Sequence, residues 1–102
     1  MDRVVSDNRD QRQYEILADG RVVGTLTYRL RDGLVSFQHT EVENAYAGRG
    51  FASSLVRSAL DETRKMGRLV LPYCPYVREW IAKHPDYIDL VPADKRPEFG
   101  FA

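Results

Sequence analysis

Two Asp-Gly dipeptides, Asp19-Gly20 and Asp32-Gly33, set the strongest limit on how this chain folds. Both residues of such a pair tolerate the positive φ that a two-residue hairpin turn requires. The flanking segments, Tyr14 to Ala18, Val22 to Leu30 and Leu34 to Val42, alternate in polarity or are rich in β-branched and aromatic residues. Three strands joined by two tight turns make an antiparallel meander.

Beyond Val42 the apolar period changes. Phe51, Leu55, Val56, Ala59, Leu60 and Met66 fall on one stripe of a helix from Gly50 to Met66. Gly67 is suited to end it in the left-handed conformation. Arg68 to Tyr73 reads as a short apolar strand. Pro75 opens a second helix, because its missing N–H costs nothing in the first turn, and that helix runs to about Lys83, where Pro85 stops it. Val77, Trp80 and Ile81 have the spacing of its core face. Ile88 to Val91 is expected to be a last short strand. The predicted fold is α+β in the order β-β-β-α-β-α-(β). The third strand, the long helix and the fourth strand form a right-handed crossover, so the sheet is mixed.

The chain has 102 residues, room for one compact domain. We expect residues 1–12 to be a frayed, charged segment, 13–91 the domain, and 92–102 an irregular tail. Acidic and basic residues balance at fifteen each, which gives no bulk reason to expect nucleic acid. Arg57, Arg64, Lys65 and Arg68 are interrupted by Asp61 and Glu62, as on an ordinary exposed helix face. No apolar run approaches the ~20 residues needed to span a bilayer. The start of the chain has no apolar signal core, and Cys74 is the only cysteine. Both fit a cytoplasmic location. No His/Cys spacing suits a metal. A monomer or weak homodimer is expected.

Ala47-Gly48-Arg49-Gly50-Phe51-Ala52 lies between the third strand and the long helix. Without Cβ atoms the backbone can approach a ligand closely. The first N–H groups of a helix lack internal partners and carry the positive end of its dipole, so a phosphate fits there. Arg49 can add a charge. The plainer reading is a glycine turn that only starts a helix. The segment lacks the third glycine of the dinucleotide fingerprint and the GK[ST] ending of the P-loop.

Gly48-Arg49-Gly50-Phe51-Ala52 resembles the pyrophosphate loop of the GNAT acetyltransferases, Q/R-x-x-G-x-G/A, with Gly50 and Ala52 at the glycine and small positions. Ala47 stands where that pattern has Gln or Arg. Together with His39-Thr40-Glu41-Val42, Cys74-Pro75-Tyr76-Val77 and His84-Pro85, the loop resembles the small single-domain YjdJ-type branch, over roughly Tyr14 to Val91. The resemblance implies a stripped-down GNAT-like mixed sheet that binds acetyl-CoA. The strand ending at Val42 and the one after the long helix would splay apart. The pantetheine arm would lie between them, bonded to backbone near Glu41 and Val42. Ala47 to Ala52 would hold the diphosphate, and Arg49 or Arg57 the 3′-phosphate.

Acetyl transfer to an amine needs a neutral amine, a polarised thioester carbonyl and protonation of the leaving thiolate. Glu41 and His39 are the candidate bases. In a strand they share a face, with Val35 and Phe37 on it too, an apolar setting whose burial would raise the carboxylate pKa. Read plainly, His39 is a satisfied core polar residue and Glu41 a solvated strand end. Cys74 would lie near the thioester as nucleophile, as acid, or as a small buried hydrophobe. The family's usual tyrosine acid is absent, because Ile81 stands in its place. Tyr76 or Cys74 could substitute for it, and Tyr76 could equally be packing. His84 reads as part of a helix stop. An N-acetyltransferase acting on an unidentified amine is the leading expectation. A non-catalytic acyl-CoA-binding or sensing module, and an interaction domain that binds no ligand, are the alternatives.

Overall fold

The computed structural model describes residues 2–101. Its five strands lie in the order β1-β2-β3-β4-β5: β1 Arg3–Asn8, β2 Gln13–Ala18, β3 Arg21–Arg31, β4 Leu34–Val42 and β5 Leu69–Pro72. The first four are antiparallel neighbours, and β5 runs parallel to β4. The long helix, α1 Phe51–Lys65, makes the crossover between β4 and β5; α2 spans Pro75–Lys83. The expected mixed sheet with its meander and crossover is therefore present.

Local chemistry accounts for the turns. Asp19 and Gly20 adopt φ of 50° and 84°, and Asp32 and Gly33 adopt 51° and 77°, the double left-handed geometry of a tight hairpin. Gly67 ends α1 with φ 70°. Leu55, Val56, Ala59 and Leu60 are fully buried on α1, against Ile16, Leu26 and Phe37 in the same core cluster. Thr63 is buried too, and its hydroxyl is satisfied by the Ala59 carbonyl at 2.8 Å.

Three expectations at the ends are corrected. The segment 1–12 is not wholly frayed: Arg3–Asn8 is an edge strand paired along its length with β2. An edge strand buries little, so its charged, exposed composition resembles that of a loop. Asp7 anchors it by accepting a 2.6 Å bond from the Tyr28 hydroxyl. The expected strand Ile88–Val91 is instead a 3₁₀ segment, Pro85–Leu90, followed by Val91. Leu90 and Val91 are both buried, so the segment packs on the core although it is not a strand. The segment 92–102 is no loose tail. Ala93–Phe99 forms another 3₁₀ segment, and Phe99 and Phe101 belong to the core. Phe99 meets Tyr73 edge-on at 5.2 Å.

A bulge in β4 decides the site. Thr27 pairs with His39 and Tyr28 with Phe37, which leaves Gln38 unpaired. The extra residue reverses the alternation. Val35 and Phe37 are buried, but past the bulge Thr40 and Val42 turn partly inward while His39 and Glu41 are exposed. His39 and Glu41 do share a face, but it is the face opposite Phe37.

Deleting residues 93–102 removes two buried phenylalanines and should lower unfolding free energy by about 3–6 kcal/mol. An unchanged urea midpoint would mean that the tail is not part of the core. A second expectation concerns alkali. Burial, with help from the Asp7 charge, pushes the Tyr14 phenol from 10.0 up to about 12. Burial and the bond to Asp7 raise Tyr28 as well. Because the folded state favours both neutral phenols, this contribution is complete below the ordinary phenol pKa and is lost as pH rises through the 10 to 12 window. Urea melts across that window should show falling stability, with a smaller fall in Tyr14→Phe.

Candidate functional site

β4 and β5 pair only from Leu34 with Leu69 to Phe37 with Pro72. Leu69 directs its N–H to β4, so Tyr73 would be the next donor in the alternation, but its N–H turns back to the Leu71 carbonyl at 3.0 Å. The Cys74 N–H closes the pairing with a 2.8 Å bond to the Phe37 carbonyl, and Pro75 then turns the chain into α2. β4 runs on to Val42 without a partner on that side among the described residues. The Glu43 N–H donates to the Val23 carbonyl, so it faces β3. Successive residues of a strand point their backbone groups to opposite sides. Counting back from Glu43, Val42 and Thr40 present N–H and C=O to the gap. Glu41 presents its backbone to β3.

The glycine loop stands at the mouth of that gap. A 3₁₀ turn, Asn44–Tyr46, carries the chain off β4. Gly48 and Gly50 then adopt φ of 74° and 80°, and α1 begins. A Cβ at Gly48 would meet no atom within 4 Å, so left-handed backbone rather than crowding calls for glycine there. The first helical bond runs from the Ser54 N–H to the Gly50 carbonyl. No side chain caps the helix, and its first turn holds no acid. The N–H groups of Phe51, Ala52 and Ser53 therefore form an uncapped, positively polarised terminus. They open on a cleft of about 280 Å³ lined by Val42, Gly48, Gly50, Ala52 and Tyr76 among others. A wider groove of about 430 Å³ lies between Val22–Thr25 and Glu41–Asn44. It contains Glu41 but no helix terminus, so the narrower cleft suits an anion better. A diphosphate fits the loop, because the uncapped amides supply donors and the glycines leave the backbone bare.

The residues singled out from the sequence do not all come together. Ala47, Gly48, Gly50, Phe51 and Ala52 line one cleft with Val42 and Tyr76. Arg49 is exposed with its guanidinium 5.8 Å from the Tyr46 ring. Cys74 is 2% exposed beside the gap, with its sulfur 3.2 Å from the Thr40 hydroxyl. His39 and Glu41 stand on the outer face, exposed, so the expectation of an apolar setting for them is corrected by the bulge. Tyr76 is partly exposed, and burial of its remainder raises its phenol above the usual value. His84 accepts no special role: its Nδ1 lies 2.7 Å from the Trp80 carbonyl and its ring stacks on Trp80 at 3.8 Å.

Two neighbours were not foreseen. Thr40 reaches Cys74 only because of the bulge, which no local pattern announces. Arg3 comes from the segment expected to fray, and its guanidinium bonds the Arg49 carbonyl at 3.2 Å and the Ser54 hydroxyl at 3.1 Å.

Comparison with known proteins points one way. A profile of the GCN5-related N-acetyl-transferase family matches residues 13–90. Protein NATD1 of Mus musculus is 32% identical over 84 residues, covering 79% of this chain and 76% of that protein; NATD1 of Homo sapiens has the same identity, with 79% and 74% covered. Among solved structures, a GCN5-like putative N-acetyltransferase from Staphylococcus aureus superposes with TM-score 0.67 at 18% identity, over 87% of each chain. The ribosomal-protein-S18-alanine N-acetyltransferase of Escherichia coli gives 0.54 at 16% identity, over 59% of this chain and 41% of that one. Both superpositions speak for the fold.

Because Gly48 and Gly50 hold left-handed backbone, Gly48→Ala and Gly50→Ala should each cost about 1–2 kcal/mol in urea unfolding, from strain alone. Neutral substitutions would show that the loop does not hold these φ values.

Proposed function

The chain belongs to the GCN5-related N-acetyltransferase family, and on that premise we propose that it moves the acetyl group of acetyl-CoA onto an amine of a small molecule, peptide or protein. That it is an N-acetyltransferase follows from the family; the donor and acceptor are our reading. The observation that carries the reading is the uncapped terminus of α1 opening on the cleft beside an unpaired β4 edge. We also place the chain in the YjdJ-type branch, on the His39–Val42, Cys74–Val77 and His84-Pro85 motifs.

Each part of the site has a task in this reading. The amides of Phe51, Ala52 and Ser53 hold the diphosphate. Thr40 and Val42 bond the amide-bearing pantetheine arm as a neighbouring strand would. When bound, acetyl-CoA supplies a thioester carbonyl open to attack. N–H groups on the gap side of β4 are positioned to polarise a carbonyl there. His39 and Glu41, in contact with solvent, take the proton from the incoming ammonium, directly or through water. Cys74 and Tyr76 are the candidate acids for the leaving thiolate. Burial favours the neutral phenol of Tyr76, so at neutral pH it holds a proton to give. The near-complete burial of Cys74 and its contact with Thr40 favour direct transfer over an acetyl-cysteine route.

Calorimetry with acetyl-CoA should give saturable binding, and no heat at high micromolar concentration would remove the donor assignment. In an amine-library assay that detects free coenzyme A, Glu41→Gln should lower kcat by about a hundredfold or more at unchanged donor affinity. Cys74→Ser should have a smaller effect, with no acetylated protein on acid quench. Full turnover in both variants would discard both catalytic assignments. Saturable binding without turnover on any amine would favour an acyl-CoA-binding module.

A further inference from the structure

The side chain of Arg3 reaches from the first strand to the start of α1 and straddles Gly50. Its Nη2 donates to the Arg49 carbonyl at 3.2 Å and its Nη1 to the Ser54 hydroxyl at 3.1 Å. Its guanidinium lies over the Phe51 ring, 4.1 Å from the centroid. Among the described residues neither Arg3 nor Arg49 has a carboxylate partner; the ion pairs there are Arg9–Asp7, Arg21–Glu43 and Arg64–Asp89. Arg3 therefore brings an uncompensated cation to the positive end of a helix, an arrangement that repels itself unless a backbone carbonyl or an anion offsets it.

The bond to Arg49 has a geometric consequence. No peptide bond among the described residues is cis. In a trans peptide the carbonyl and the following N–H point in opposite directions. With the Arg49 carbonyl turned to Arg3, the Gly50 N–H points away from β1. Gly50 also lines the cleft that holds Val42 and Tyr76. The Arg49–Gly50 peptide is bordered by a glycine, so rotating it costs little by itself. A flipped peptide would aim a carbonyl, instead of an N–H, at the ligand.

We propose that Arg3 is a positioning residue that locks the Arg49–Gly50 peptide, so that the Gly50 N–H serves as a donor to the bound diphosphate. This rests on the reading of the loop as a diphosphate cradle. It makes the edge strand a working part of the cofactor site, since β1 carries the residue that orients the loop. Ser54 fixes the second arm of the guanidinium, and the Phe51 ring sets its height.

The test uses the full chain. In an amide NMR spectrum, inorganic pyrophosphate should shift the Gly50 resonance of the wild type, and a silent Gly50 amide overturns the proposal without any variant. Arg3→Met keeps the apolar stem over Phe51 and removes the donors. It should weaken coenzyme A binding by about tenfold, the scale of one lost charge-assisted bond, and should displace the Gly50 resonance. Wild-type affinity in this variant, or a loss of affinity with the Gly50 resonance unmoved, overturns the assignment. A merely structural role would lower the melting temperature and leave affinity, measured well below it, unchanged. Failure of the wild type itself to bind coenzyme A would instead remove the cradle reading.

Discussion

β4 and β5 cannot stay paired, and the site depends on that. Their ladder ends at Phe37 and Pro72, because the next donor in the alternation, the Tyr73 N–H, turns back to the Leu71 carbonyl. Cys74 contributes one last backbone bond before α2 begins. The bulge at Gln38 falls at the same level of β4, so the strand bends and changes faces as it loses its neighbour. Two defects in the sheet thus coincide. One leaves backbone donors and acceptors of Thr40 and Val42 without strand partners, and the other decides which side chains accompany them. Polar backbone left in this way needs partners, and the amide-bearing arm of the proposed donor would supply them as a strand would.

In the proposed reaction the bulge also keeps apart groups that an unbroken strand would place on one face. Thr40 turns toward Cys74, on the side of the core. His39 and Glu41 turn to the opposite face, where solvent reaches them. A group that must accept a proton and pass it on benefits from contact with water, while a group beside a departing sulfur benefits from exclusion of water. Both settings come from one additional residue in β4.

Most of the architecture was legible because it rests on short-range rules. The Asp-Gly turns, the helical stripe of α1, Gly67 at its end and Pro75 at the start of α2 each follow from a residue and its immediate neighbours. What could not be read depends on distant partners. Arg3–Asn8 looks like a loop because an edge strand has little to bury, and only β2 and Tyr28 give it a place. Phe99 and Phe101 were two apolar residues in a proline-broken segment, and their burial needs Tyr73 and the core to receive them. Glu41 faces outward because the bulge at Gln38 interrupts the alternation of β4, and nothing in the local residue pattern marks it. In the site the same division holds: the glycine loop is a local pattern, whereas the Thr40–Cys74 and Arg3–Arg49 contacts cross the chain.

A chain this short buries a modest share of its surface, so few residues are free to serve packing alone. Phe51 illustrates the overlap. Its ring is buried, meets Tyr46 edge-on at 5.1 Å and carries Arg3 at 4.1 Å, while its own N–H belongs to the uncapped terminus. Arg21 holds Glu43 through two 2.9 Å bonds at the exit of β4, which lowers the carboxyl pKa and fixes the chain just before the 3₁₀ turn. Both ends of the loop are therefore anchored by arginines from other strands, Arg21 upstream and Arg3 downstream. Between them the glycines hold left-handed backbone that few other residues accept. A loop whose ends are fixed and whose interior is glycine has its freedom confined to peptide orientation. That is the variable to which the proposed diphosphate would be sensitive, because a rotated peptide exchanges a donor for an acceptor.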